Sequence, residues 1–290
     1  KYVWSIKLGG EFMKPKFWMK IGDQDEFEIS QRIKGLLFRS EDSTPQFTNT
    51  YQDIANLDGS PFAYQTFARS TVNANFWLQY RDYTDFKLLK HEIYRLFGYR
   101  QLIRIRTSTD PAKVYFVYPT PFEIAPISVG DHNALFTIPF DNPSGYRYSM
   151  YRSDSPYTFE QNGWQLGMNL LAEGNPTYHF TTTKFKVYNA SDIKIDPYLK
   201  RHDLKIISKF TGNSLKITNK TNGTVWSYNK KSDGKDTITL DGVNSFFNGK
   251  NCNSDTNFQN LELEIGNNDI EVTGATSVDI TFSFPFIYLS

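Results

Sequence analysis

His91-Glu92 opens like the helix of zinc proteases, where a second histidine four positions on completes the metal site and the glutamate activates water. That second position holds Arg95, so the pair reads as a solvated polar helix face. Glu262 and Glu264 lie two apart and would share one face of a strand. Glycosidases work with paired carboxylates, but an outer strand face carries the same pattern for solubility. Asp23, Asp25, Glu26 and Glu28 crowd one stretch without the spacing of a calcium loop. Cys252 is the sole thiol, with no partner that would make it a nucleophile, and a single cysteine forms no intrachain disulfide. His91, His132, His179 and His202 are scattered without ligand spacing. The sequence has no GxSxG, no GxxxxGK[ST] and no GxGxxG. No catalytic, metal or cofactor set emerges, and the expectation is a protein that is not an enzyme.

Two sets of residues point to binding. Arg104 and Arg106 alternate with Ile103 and Ile105, so both arginines share one strand face, either solvated, lining an anionic channel or meeting a subunit. The tryptophans Trp4, Trp18, Trp77, Trp164 and Trp226 suit either core packing or sugar stacking. Trp164, in an irregular aromatic stretch, and Trp226, on a short strand, are the candidates for stacking. Asn189, Asn219 and Asn222 begin Asn-X-Ser/Thr triplets, which matter only in a eukaryotic secretory path.

The elements that hold these residues are mostly strands. Aromatics make up 16% of the chain, which favours pleated, half-buried surfaces. The net charge of +1 is spread over both halves, which excludes a dedicated polycationic nucleic-acid binder and a membrane-surface protein. No apolar run reaches the roughly 18 residues of a membrane span, so no membrane insertion is expected. The opening KYVWSIKLGG lacks the layout of a signal peptide and an initiator Met, which suggests that a few residues precede it.

One segment breaks the pattern. TDFKLLKHEIYRLF is expected to be a helix over about 84–98, with Thr84 as N-cap, Asp85 in the first turn and Gly98 at C′. Phe86, Leu89, Ile93, Leu96 and Phe97 form its apolar stripe, and burying them contributes on the order of 10 kcal/mol gross. Lys87, Lys90 and Arg95 lie opposite, open to a neighbour or to solvent. Before the helix, residues 1–40 alternate in short segments around Gly9-Gly10, residues 41–62 read as a polar loop or extended arm, and 63–83 as strand. After it come the strand at Ile103 and the run VYFVYP. The prediction is a mainly β protein. An α+β first domain, 1–150, is a split barrel or sheet with one helix. A second domain, 151–290, is an antiparallel sandwich of FKVYN, LKIISKF, SLKITN, VWSYN, TITL, LELEIG, IEVTG and VDITFSFPFIYL, separated by turns. The final strand is expected to stay in the sandwich or pack back on the first domain.

Several of these segments occur in the same order in a known family. The helix DFKLLKHEIYRLF, the stretch NPSGY at 142–146, VYNASDIKIDPYL at 187–199, and DTNFQNLELEIGNNDIEVTG followed by DITFSFPFIYL together resemble the distal tail proteins of siphophages. The sequence departs from that family over 41–80. The resemblance implies a first domain that builds a homohexameric ring capping the tail tube and a galectin-like β-sandwich radiating from it. One ring face would meet the major tail tube protein. The other would meet a tail-associated tip protein, a lysin or fibre, with receptor-binding proteins at the periphery. DNA would pass the lumen only as cargo. The expected location is the virion tail tip, after synthesis and assembly in the bacterial host cytoplasm. It implies no cofactor and no catalytic residues. The alternative reading is a carbohydrate-binding sandwich for host cell-wall saccharides, with Trp164 and Trp226 stacking on sugar. A third, a sandwich-bearing glycosidase or esterase, finds no pair of residues to carry it.

Overall fold

The computed structural model describes residues 7–8, 11–12, 14–157, 163–171 and 176–289. The alternation predicted around Val3 to Ile6 and the Gly9-Gly10 turn lie outside them. Contacts divide the chain into a first unit up to Arg147 and a second from Tyr148 to Tyr288.

The first unit opens with a small hairpin, β1 (Lys7–Leu8) and β2 (Glu11–Phe12). Its sheet is built from β3 (Phe17–Ile21), β4 (Phe27–Glu28), β5 (Leu36–Ser43), β8 (Ser70–Gln79), β9 (Ile103–Thr107), β10 (Lys113–Pro119) and β11 (Asn133–Asn142). Their antiparallel order is β4-β3-β9-β10-β11-β8-β5, and the path ends at two edges without closing into a barrel. Strand alternation explains the core. Phe17, Met19 and Ile21, then Ile103 and Ile105, then Val72, Ala74, Phe76 and Leu78 all point to one buried side. A single-turn helix, α1 (Ile29–Arg32), joins β4 to the turn before β5.

The long helix α2 (Tyr83–Phe97) lies on this buried side. Phe86, Ile93 and Phe97 are buried, and Leu89 and Leu96 pack partly buried against the same cluster. Phe97 meets Phe76, Phe140 and Phe122 at centroid distances of 6.3, 5.9 and 6.1 Å. The helix starts a residue before the expected Thr84 cap. Asp82 is the N-cap, accepting from Asp85 N at 2.8 Å, while the Asp85 carboxylate accepts from Arg81 N at 2.9 Å. A carboxylate both bonds the free amides and complements the helix dipole, so it displaces threonine from that role. Gly98 ends the helix at φ −76°, not in the left-handed conformation expected at C′. Lys90 is not open: Lys90 Nζ donates to Ile124 O at 2.7 Å, and Tyr94 Oη donates to Phe122 O at 3.2 Å. These two bonds fasten the helix to the segment after β10.

Residues 41–62, expected as a polar loop or extended arm, form with 63–68 an extended arm and not a loop. Strand β5 runs to Ser43, and β6 (Gln46–Tyr51) pairs with β7 (Phe62–Ala68) in a separate two-stranded sheet. The root of this hairpin is held closely. Gly145, at φ +72°, lets the NPSGY turn approach Ala68 so tightly that a Cβ there would sit 2.3 Å from the Ala68 carbonyl oxygen. Phe67 meets Tyr146 at 5.4 Å.

The second unit holds β12 (Arg147–Arg152) from Tyr148 on, β13 (His179–Phe180), β14 (Lys184–Asn189), β15 (Lys205–Asn219), β16 (Val225–Tyr228), β17 (Ser232–Asp233), β18 (Ile238–Asp241), β19 (Asn244–Phe247), β20 (Lys250–Asn251), β21 (Gly266–Ser283) and β22 (Pro285–Tyr288). LKIISKF and SLKITN, expected as two strands, are one 15-residue strand, β15. IEVTG and VDITFS likewise belong to the 18-residue β21. The two pair along their length with register shifts around Gly212. There the ribbon bends: a Cβ on Gly274 would lie 2.4 Å from Ser214 Oγ, and one on Gly212 would lie 2.6 Å from Gly274 O. Glycine permits the bend without ending the ladder. One half of the ribbon carries β14 and β16; the other carries β13, β17 and β18, and the sheet continues to β19 and β20. LELEIG is not a strand but an extended segment with a single bridge, Ile195 to Leu263. The final strand β22 pairs with β12.

Candidate functional site

Arg104 and Arg106 point to the outer face of β9, as their alternation requires, and there they converge on one carboxylate. Arg104 Nη2 lies 3.0 Å from Glu26 Oε1, and Arg106 Nε and Nη2 lie 2.9 and 2.5 Å from Glu26 Oε2. The Arg106 guanidinium also covers the Trp18 ring at 4.2 Å. The side chains are only 22%, 12% and 15% exposed for Arg104, Arg106 and Glu26. Burial alone would raise the Glu26 carboxyl, but the hydrogen bonds and charges of Arg106 and Arg104 outweigh it and hold the carboxyl below its ordinary value. Both cations are therefore engaged inside the subunit, where the single Glu26 carboxylate offsets one of their two charges. Glu26 itself was legible only as part of an acidic stretch.

A second ion cluster lies beside the hairpin. Arg147 bridges Glu41 at 3.1 Å and Asp110 at 2.7 Å, and its guanidinium lies over Tyr115 at 4.6 Å. Burial raises the Glu41 carboxyl; Arg147 opposes this, and Asp110 adds to it.

The hairpin β6–β7 has the opposite character. Phe47, Tyr51, Ile54, Leu57, Phe62 and Tyr64 are each about half exposed, between 48% and 58%. Its own cross-strand contacts are few: Phe47 meets Phe67 at 5.3 Å, Tyr51 meets Phe62 at 6.0 Å, and Gln65 Nε2 donates to Asn49 Oδ1 at 2.9 Å. The ten-residue tip is bound by Gln52 N to Pro61 O and by Ser60 Oγ to Asp53 Oδ1. A two-stranded ribbon of this kind is marginal in water by itself, and six half-bare apolar side chains on it form a surface suited to burial.

The other candidates are structural. Trp226 is 1% exposed and donates to Ser245 Oγ at 3.2 Å; Trp164 is 3% exposed and donates to Pro156 O at 3.0 Å. Neither ring offers a face to a sugar, because in each case the strand or loop turns the indole inward and satisfies its N–H there. Cys252 is buried, and desolvation, followed by the nearby Asp255, raises its thiol. Glu262 pairs with Lys194 at 3.0 Å, and Glu264 accepts from Asn222. Asn189 and Asn219 are fully buried last residues of β14 and β15 whose Oδ1 atoms accept from Ser191 N and Thr221 N. Asn222 does the same for Thr224 N. In the open depression beside α2, of about 550 Å³, Asp82 caps the helix and Asp131 accepts from Asn133 N. Among the described residues no group of three or more His, Cys, Asp or Glu could hold a metal, and no helix is long and apolar enough to cross a membrane.

This open, helix-braced sheet with its projecting hairpin coincides with a known domain. The sequence profile of the phage tail protein RIFT-related domain (Sipho_tail) matches residues 26–142, from Glu26 to the end of β11. That stretch is similar to a phage tail domain. Its whole fold is like that of the Dit protein (gp 19.1) of phage SPP1, described as a paradigm of the hub adsorption apparatus in phages that infect Gram-positive hosts. The TM-score is 0.64 at 12% identity, covering 93% of this chain and 99% of that one. The chain is Dit-like in fold, mainly β with one long helix. A chain of the phage p2 baseplate in its activated conformation with strontium gives a TM-score of 0.45 at 10% identity, covering 93% and 97%. No curated protein matches by sequence. The domain match supports a role in a phage tail, and the solved structure shares the fold.

Proposed function

We propose that the chain is the hub subunit of a siphophage tail tip. Six copies close a ring through the first unit. That ring joins the major tail tube protein to a tail-associated tip protein, and receptor-binding proteins attach at its periphery. The role is structural, not catalytic, and the protein resides in the virion after assembly in the host cytoplasm. The observation that carries this reading is the hairpin β6–β7. A ring closed by head-to-tail contacts needs one surface that reaches and a different one that receives. The hairpin reaches: its root is fixed by Gly145 and Tyr146, while its strands and tip present apolar side chains uncovered within the subunit. A second copy is the occupant this favours, since among the described residues the same sheet also ends in the unpaired edges of β4 and β5.

The test is the mass in solution by light scattering over a concentration series, with negative-stain images of the same peak. A closed ring of six with a central hole is expected. A chain that remains monomeric at every concentration and does not close when mixed with tail tubes would overturn the proposal.

A further inference from the structure

A buried histidine of the second unit closes an exposed turn by accepting a hydrogen bond. Residues 196–202 run between two anchored points. Before them, Ile195 N donates to Leu263 O at 2.8 Å and Leu263 N to Ile195 O at 3.0 Å. After them, Asp203 pairs with Arg152, and Gly242 N donates to Leu204 O at 2.9 Å. In between, Tyr198 and Leu199 are 66% and 71% exposed, with Lys200 and Arg201 exposed beside them. Arg201 has φ +57°, a left-handed backbone that is costly for a residue with a side chain. Asp196 and His202, both buried, hold the turn against that cost. Asp196 Oδ1 accepts from Tyr198 N at 3.1 Å and from Leu199 N at 2.9 Å. His202 N donates to Asp196 O at 3.1 Å, and Asp196 N donates in return to His202 Nδ1 at 3.2 Å.

A backbone N–H only donates, so Nδ1 carries no hydrogen while this bond exists, and the ring is the neutral Nε2–H tautomer. Protonation places a hydrogen on Nδ1, facing the Asp196 N–H. Two donors then oppose each other in a buried place, and the bond that closes the turn is lost. We propose that residues 196–202 form a pH-operated latch, in which His202 keeps the Tyr198–Leu199 turn closed in neutral surroundings and releases it in acidic ones. The charges around the ring set its working range. Burial disfavours the imidazolium; the Asp196 carboxylate and the Lys194 backbone carbonyl favour it, and the ammonium groups of Lys200 and Lys194 oppose it. Two further charges nearby are engaged elsewhere, Glu262 with Lys194 and Asp203 with Arg152. The balance holds the ring below its ordinary value of 6.5. A base depressed in this way gives stability that is complete above the unfolded value and is lost as pH falls through the folded one. The latch is independent of how the chain assembles.

The experiment is amide hydrogen exchange by NMR on the nitrogen-15-labelled full chain, from about pH 8 down to about pH 4, with rates corrected for their intrinsic pH dependence. Protection of the Tyr198 and Leu199 amides should fall about tenfold or more as His202 takes up its proton, reversibly, while the amides of the β15–β21 ladder keep theirs. His202→Gln supplies an acceptor that does not titrate, and it should hold protection level across the range. His179→Gln, at an exposed ring paired with Asp279, should behave as the parent does. Protection that stays constant in the parent overturns the latch. So does an equal loss in His202→Gln, which would trace the opening to carboxylates. The imidazole nitrogen signals of the parent decide the matter even where His202→Gln fails to fold. A bare Nδ1 at neutral pH, gaining its hydrogen in step with the loss of protection, is expected; an Nδ1–H tautomer at neutral pH, or protonation out of step with opening, overturns the proposal.

Discussion

The helix α2 and the hairpin β6–β7 belong to one unit and are similarly rich in large apolar residues, yet they treat them in opposite ways. The helix buries Phe86, Ile93 and Phe97 against the sheet and fastens Lys90 and Tyr94 to the segment after β10. The hairpin leaves Phe47, Tyr51, Phe62 and Tyr64 more than half exposed. The difference separates stability from assembly. Apolar surface inside the subunit stabilises the fold whether or not a partner is present. Apolar surface on a rooted, projecting ribbon stabilises only what covers it.

The comparison can be broken most forcefully at the helix. Ile93 is fully buried, and Ile93→Asp places an unpaired charge there, which should cost about 4 kcal/mol or more. The expected outcome is insoluble protein or an urea midpoint too low to measure; a soluble, ring-forming variant would show that the stripe is not core. Gly145→Ala acts at the root of the hairpin. Both the φ of +72° and the approach of the Ala68 carbonyl oppose a Cβ, so a loss of about 2 kcal/mol is expected in chemical denaturation, with the hairpin displaced before the sheet is lost.

The helix was legible in the sequence because its apolar period is clear, with the stripe from Phe86 to Phe97 ending at Gly98, whereas its start was missed because Asp82 and not Thr84 caps it. The first-unit strand at Ile103 was legible because it buries one face, and VYFVYP because it is a short apolar run after a turn signal, with Val114 and Tyr115 buried on opposite faces. The hairpin was not. Its aromatics alternate with Thr, Asn and Gln, and since neither face is buried in the subunit, its composition resembles a loop. The signal present was β propensity: Thr and aromatic residues on both sides of a Gly-Ser-Pro turn. The ion pairs were hidden for a different reason. Glu26 lies far along the chain from Arg104 and Arg106, and only the β3–β9 and β3–β4 registers bring them to one face. In the second unit, glycine at 212 and 274 looked like punctuation and proved to be a bend in continuous strands.

Glu26 sharpens the comparison through pH. Its carboxyl is held below its ordinary value of 4.5 by the two arginines. A depressed folded-state value means that this stability is present above the unfolded value and is lost as pH falls through the folded one. Glu41, raised by burial, works in the reverse sense: its contribution weakens as pH rises from the unfolded value through the folded one. Glu26→Gln should therefore flatten the acid limb of a plot of melting temperature against pH and leave assembly intact near neutrality. An unchanged acid limb would mean that the carboxylate is not held by the arginines in solution.

The smallest expected effect on stability is also the most informative. Phe47, Phe62 and Tyr64 changed together to Ser should alter subunit stability by about 0.5 kcal/mol or less for each position, as for exposed surface positions. The decisive measurement is the light-scattering mass of this triple variant beside the parent, at matched concentration and with thermal melts of both. The account predicts a parent that closes rings and a variant that stays monomeric while its sheet and helix melt at the parent's monomer temperature. A variant that still forms the parent's ring would contradict the claim that the hairpin is the surface through which copies meet.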